Sequence, residues 1–227
     1  MKKIILLLFL HTISSFSQTS EKDALIWFDN IIEQKNLDVN VGIRYIEEYK
    51  TLNDNNHFLI DDKFYASTIH YQGQTYYNIP LKYDVYSDQV IFKISSNYDN
   101  YSMILDKDKI SSFITQNKLF IKIKEKDYGF NEKLFSKNEI TLYKKHYKRL
   151  TKTINRNIYF DKFIIDNSYL LFLDNKYFPV NNKKEWKRIF PLKKSEINKF
   201  FSKNRKKLKI SPDIFMEELL IKITTNS

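Results

Sequence analysis

The stretch STIHYQGQTYYNIPLKYDVYSDQVIFKI, Ser67 to Ile94, decides the fold. Tyr77, Ile79, Leu81, Tyr83 and Val85 alternate with Asn78, Lys82 and Asp84, and a period of two means a half-buried antiparallel strand. Gln72-Gly73 supplies a turn that tolerates positive φ, Ser87-Asp88 a second, and Val90, Phe92 and Ile94 resume the alternation. The reading is a three-stranded meander. Pro80 has no N–H for a ladder, so an edge, bulge or bend is expected there.

Working outward, further strand-like runs follow at Tyr101 to Leu105, Phe113 to Thr115, Leu119 to Ile123, Ile140 to Tyr147 and Tyr169 to Leu173, with hairpin turns at Gln116-Asn117 and Asp174-Asn175. After Pro179 the period changes to that of helices. Trp186, Ile189 and Phe190 share one face, Ile197, Phe200, Phe201 and Leu208 the next, and Ser211-Pro212 starts a last helix burying Phe215, Leu219 and the stem of Lys222. Before the meander, Leu25 to Ile32 reads as a short helix and Val39 to Tyr45 as extended. The fold class is α+β: an antiparallel β meander in a curved or partly closed sheet, with two or three C-terminal helices.

The N-terminus carries Lys2 and Lys3, then the apolar run Ile4 to Leu10, then Ser14 to Gln18 before a polar start at Thr19, the pattern of a secretory signal peptide cleaved near Gln18. The apolar run is too short to span a bilayer, which takes about 20 apolar residues. The expected organisation is a signal peptide at 1–18, a mainly antiparallel β domain at 19–180 and a helical segment packed on it at 181–227. The chain has no cysteine, which excludes a disulfide framework, a thiolate metal site and a lipidated cysteine. The expected location is outside the cytoplasm, in the periplasm or at the cell surface.

The phrases Trp27 to Ile32, Tyr45 to Thr51, Tyr71 to Asn78 and Leu81 to Gln89, with Lys176 to Val180, Trp186, Phe190-Pro191 and Ile197 to Asn204 near the end, resemble a group of exported proteins of flavobacteria and their relatives in the Bacteroidetes. The resemblance spans most of the chain beyond the signal peptide. It implies lineage, export and a loose association with envelope proteins that carry carboxypeptidase regulatory-like domains, and it transfers no residue roles.

Chemistry is harder to find. With Gly42, Gly73 and Gly129 the only glycines, neither a phosphate cradle nor a Gly-x-Ser-x-Gly elbow can be built. His57, His70 and His146 lack the spacing of a zinc motif. Glu47-Glu48 and Asp61-Asp62 point to opposite faces of a strand, and Asp106 with Asp108 could share a face, as a glycosidase or calcium site would need, but a turn with solvated charge explains them as well. No catalytic, cofactor-binding or metal-binding residue is assigned. The aromatic residues at Tyr76, Tyr77, Tyr83, Tyr86, Phe92, Tyr98 and Tyr101 read as core and cross-strand packing, with stacking on sugars or the lining of an apolar cavity as the alternatives.

Charge is uneven. The formal net charge is +11, and residues 137–209 hold 21 Lys and Arg against 6 Asp and Glu, a net of +15. Lys183, Lys184, Lys187, Arg188, Lys193, Lys194, Lys203, Arg205, Lys206 and Lys207, with Trp186 as an interfacial aromatic, form a candidate contact surface for anionic envelope lipid or polysaccharide, or for another envelope protein. Nucleic acid is not expected, because Lys outnumbers Arg 33 to 5 and base readers favour the Arg fork. The functional expectation is a non-catalytic envelope binding or accessory protein. The alternatives are an enzyme acting on envelope polysaccharide or peptide, and a carrier of an apolar ligand.

Overall fold

The computed structural model describes residues 42–95 and 100–225. The signal-peptide segment and the helix expected over Leu25 to Ile32 lie outside these residues. Among the described residues thirteen strands run β1 Gly42–Arg44, β2 Tyr65–Tyr71, β3 Gln74–Asp84, β4 Gln89–Ser95, β5 Asn100–Leu105, β6 Ile110–Thr115, β7 Lys118–Ile123, β8 Gly129–Lys137, β9 Ile140–Lys145, β10 Lys148–Asn155, β11 Ile158–Ile165, β12 Ser168–Leu173 and β13 Lys176–Pro179. The helices are α1 Lys183–Ile189, α2 Lys194–Lys203, α3 Arg205–Ile210 and α4 Pro212–Thr225.

Eleven strands form one antiparallel sheet in the order β1-β5-β4-β3-β2-β6-β7-β8-β9-β12-β13, and β10 pairs with β11 in a separate ribbon. The sheet stays open, with β1 and β13 as its two edges. Four helices follow where two or three were expected, because the chain leaves helical geometry at Phe190, before Pro191, and again at Asn204.

The turns follow local chemistry. Gln72-Gly73, Gln116-Asn117, Arg156-Asn157 and Asp174-Asn175 all have positive φ at both positions and close two-residue hairpins. The alternation read for β3 breaks once. Ser67 pairs with Ile79 but Ile69 pairs with Tyr76, so β3 carries an extra residue where Asn78 takes φ 56°. The bulge swaps the phase: Tyr76 enters the core and Tyr77 does not. Pro80 stands two residues past the bulge and just beyond the β4 ladder, which starts at Leu81, so its missing donor is not needed there.

One row of cross-strand neighbours explains how the core is divided. Tyr76, Ile69, Phe113, Phe120, Glu132, Lys144 and Tyr169 pair successively across β3, β2, β6, β7, β8, β9 and β12. The aromatic end of the row belongs to one cluster with Leu81, Tyr83, Phe92 and Phe130. Its far end lies under the helices, where Leu142, Tyr169 and Leu171 meet Trp186, Ile197, Phe215, Leu219 and Ile223. Ile223, not the stem of Lys222, completes the buried stripe of α4. Glu132 and Lys144 mark the seam between the two clusters.

The opposite face of the meander is also covered. Lys82 and Asp84, expected at a solvent face, are buried because residues 45–64 fold over them. The Lys82 ammonium lies 3.9 Å from the Phe58 ring centre and 4.9 Å from that of Phe64, and it pairs with Asp62.

Candidate functional site

Three buried or half-buried polar groupings are brought together by pairings remote in sequence. On the covered face, His57 stands between two carboxylates, with Nδ1 3.0 Å from Asp84 and Nε2 3.1 Å from Glu47. The Asp84 approach lacks the direction of a hydrogen bond and is a charge contact. Burial pulls the His57 pKa down, but Asp84 and then Glu47 outweigh it, and the net shift is upward. Tyr49, Phe58 and Phe163 pack their rings around the imidazole. Ser87 donates its hydroxyl to Asp84, leaving the carboxylate between serine and histidine. A nucleophile needs its hydroxyl on the base, so this order does not activate Ser87.

At the seam, Glu132 accepts from His146 Nε2 at 2.5 Å and from Lys118 at 2.6 Å. Burial dominates at His146 and lowers its pKa in spite of Glu132, so the ring is held neutral with Nε2 donating. Beside it, Asp213 at the start of α4 accepts from Lys144 at 2.7 Å and from the Tyr169 hydroxyl at 2.5 Å, which ties the helix to the sheet. The third grouping centres on Asp88, which accepts from Lys145 and Tyr83 at 2.6 Å and from Lys107. Gly129 makes this possible, since a Cβ there would stand 1.9 Å from Asp88 Oδ2. At the seam and around Asp88 the donors and acceptors satisfy one another, the pattern of buried polar pairs that fix packing, while His57 Nδ1 keeps only its charge contact with Asp84.

The concavity with ligand-binding character lies elsewhere, at the tip of the β8–β9 hairpin. Lys137 pairs with Ile140 across the Asn138-Glu139 turn, and α1 ends nearby at Phe190-Pro191. Phe190 is forced out of the helix before the proline, so the chain turns through Pro191–Lys193 and leaves Leu192 97% exposed. Between hairpin, turn and α4 opens a pocket of about 430 Å³. Phe135, Ile140, Ile189, Phe190, Leu220 and Ile223 wall it, and Pro191 and Leu192 extend the apolar lining. Its polar lining groups are Lys137, Asn138, Lys193 and Thr224, with no carboxylate. A larger hollow of about 610 Å³ beside Tyr65, Tyr77 and Asn117 has a mixed lining of polar and apolar groups.

The cationic residues expected to form an anionic contact are distributed over the helices. Lys183, Lys184, Arg188, Lys194, Lys203, Arg205 and Lys206 are exposed, and Lys187 is half-buried. Lys193 lies 3.4 Å from Glu196 and Lys207 2.6 Å from Glu218. Trp186 differs from the expectation. It is 0% exposed, packed in the helical core, so it is a packing residue and not an interfacial one. The pocket escaped sequence reading because Ile189 and Phe190 were assigned to packing; the readable signal was Phe-Pro followed by Leu192 among cations. Comparison with protein-family models, curated proteins and solved structures finds no match.

Proposed function

We propose that this chain is an exported, non-catalytic binding protein that takes the apolar chain of a small amphiphile into the pocket between the β8–β9 hairpin, α1 and α4. The observation that carries the reading is the pocket itself, at about 430 Å³ within the usual size range of ligand sites and walled by aliphatic and aromatic groups. Leu192 supports it, since a fully exposed leucine at the mouth leaves apolar surface for a ligand to cover. The ionisable lining groups are Lys137, which is exposed, and Lys193, which already pairs with Glu196, so Lys137 is the cation that suits an anionic head group at the rim. Export rests on the signal-like segment at 1–18, and placement in the envelope of a flavobacterial relative rests on the resemblance. The helical cations supply long-range attraction to anionic envelope material.

The reading is tested by displacement of an environment-sensitive dye with dodecanoate. Leu192→Asp changes an exposed residue and should leave the fold intact, yet weaken dodecanoate binding at least about tenfold, because burying one leucine contributes about 1.5–3 kcal/mol. Thr224→Trp, which fills the pocket, should abolish displaceable binding. Dodecanoate binding unaffected by both substitutions would place the ligand elsewhere.

A further inference from the structure

Five of the thirteen large apolar side chains that stand exposed among the described residues lie in the β10–β11 ribbon: Ile154, Ile158, Tyr159, Ile164 and Ile165. Among the described residues the ribbon is anchored at one end only. Asn55 holds Phe163 through both its amide groups at 2.8 and 2.9 Å, Lys148 reaches Asn56, and Asp161 accepts from the Lys50 backbone at 3.1 Å. Beyond Phe160 the hairpin runs out to the Arg156-Asn157 turn, where Ile154, Ile158 and Tyr159 are 60%, 48% and 65% exposed.

The register decides what such a tip suits. Ile154 faces Tyr159 on one side of the ribbon, while Ile158 pairs with Asn155 on the other. A ribbon that lies against a protein surface needs one apolar face, whereas this tip is apolar on both. Five cations, Lys148, Arg149, Lys152, Arg156 and Lys162, share the ribbon with one carboxylate, Asp161, which the Lys50 amide already engages. Apolar groups on both faces among cations match the headgroup zone of an anionic bilayer, where aliphatic and tyrosine side chains enter to about 5–10 Å and cations meet phosphates. Arg156 at the turn limits the depth to that zone.

We propose that the β10–β11 hairpin is a membrane-docking element that inserts Ile154, Ile158 and Tyr159 shallowly into an anionic phospholipid bilayer. It is independent of the pocket and its ligand.

The absence of native cysteine allows a single environment-sensitive fluorophore to be placed at N157C, at the turn, or at K183C, on the helical side. With vesicles of equimolar phosphatidylglycerol and phosphatidylcholine, the N157C probe should shift to the blue and the K183C probe should not. Pure phosphatidylcholine vesicles should shift neither. In co-sedimentation, I154S/I158S/Y159S should lose at least about tenfold in partitioning, and K152Q/R156Q about fivefold per charge removed, with binding weakened by salt. These side chains are exposed, and the circular dichroism and melting temperature of the variants check that the fold survives. A shift at K183C, no shift at N157C, or full binding by the triple variant overturns the proposal. So does a dimeric wild type that the triple substitution turns monomeric, since the tip would then face a second copy.

Discussion

Replacing His57 with Gln should produce a stability loss that depends on pH with a defined sign. His57 and Asp84 are 2% and 3% exposed, and removing one partner of a buried charge pair costs about 3–5 kcal/mol. Asp84 keeps the Ser87 hydroxyl and the backbone N–H groups of Tyr86 and Ser87 in the variant, which places the loss at the low end, about 3 kcal/mol. Because the folded pKa of His57 lies above its unfolded value, the folded state binds this proton more tightly. Its contribution is complete below the unfolded pKa of about 6.5 and fades as the pH rises through the folded one. Urea unfolding of both proteins across that range is the assay. The gap between wild type and variant should be widest on the acid side and narrow as the solution becomes alkaline. A gap that is constant, or that widens with pH, would mean that His57 is neutral in the folded protein and would refute the reasoning.

His146 has the opposite sign: burial lowers its pKa, so its cost to stability is absent above about pH 6.5 and grows as the pH falls toward the folded value. The same pH series on His146→Gln should flatten this acid limb of the stability curve, which the wild type keeps. Gly129→Ala should lose at least about 2 kcal/mol in urea unfolding, since it combines φ of +65° with the collision against Asp88, while Gly73→Ala, with φ of +83° and open space, should lose about 1 kcal/mol. Trp186→Ala, at a site with no exposure and the ring stacked on Phe190 at 6.1 Å, should cost about 3–5 kcal/mol and weaken dye binding by loosening the pocket wall.

How far the sequence reached can be argued from particular elements. The strands from Tyr65 to Ser95 were legible because alternation and turn residues are local signals, and so were the helices after Pro179. The bulge at Asn78 was not, because it belongs to the pairing of β2 with β3 and appears only when both strands are laid together. The buried faces of Lys82 and Asp84 were illegible for a similar reason: a segment without regular structure covers them. Neither buried histidine could be assigned partners, since His57 meets Asp84 and His146 meets Glu132 across separations that no motif fixes. The pocket depends on three remote pieces, the β8–β9 tip, the break at Phe190-Pro191 and α4. Only the break carried a local mark. Trp186 was read as interfacial from its basic neighbours, but the helix face it occupies points inward.

The measurement closest to the central claim is calorimetric titration with alkyl carboxylates of increasing chain length. At about 30 Å³ for a group the size of a water molecule, a pocket of about 430 Å³ has room for roughly 14 such groups. Each methylene that enters should add about 0.8 kcal/mol, close to a fourfold gain in affinity, until the pocket is full and the gain stops. Alkyl trimethylammonium ions of the same length should bind more weakly, because the rim offers the cation Lys137. Affinity that climbs with chain length to a plateau, and falls on Leu192→Asp, is the predicted result. Affinity that ignores chain length, or no binding at any length, would contradict the assignment of an apolar-chain binding protein.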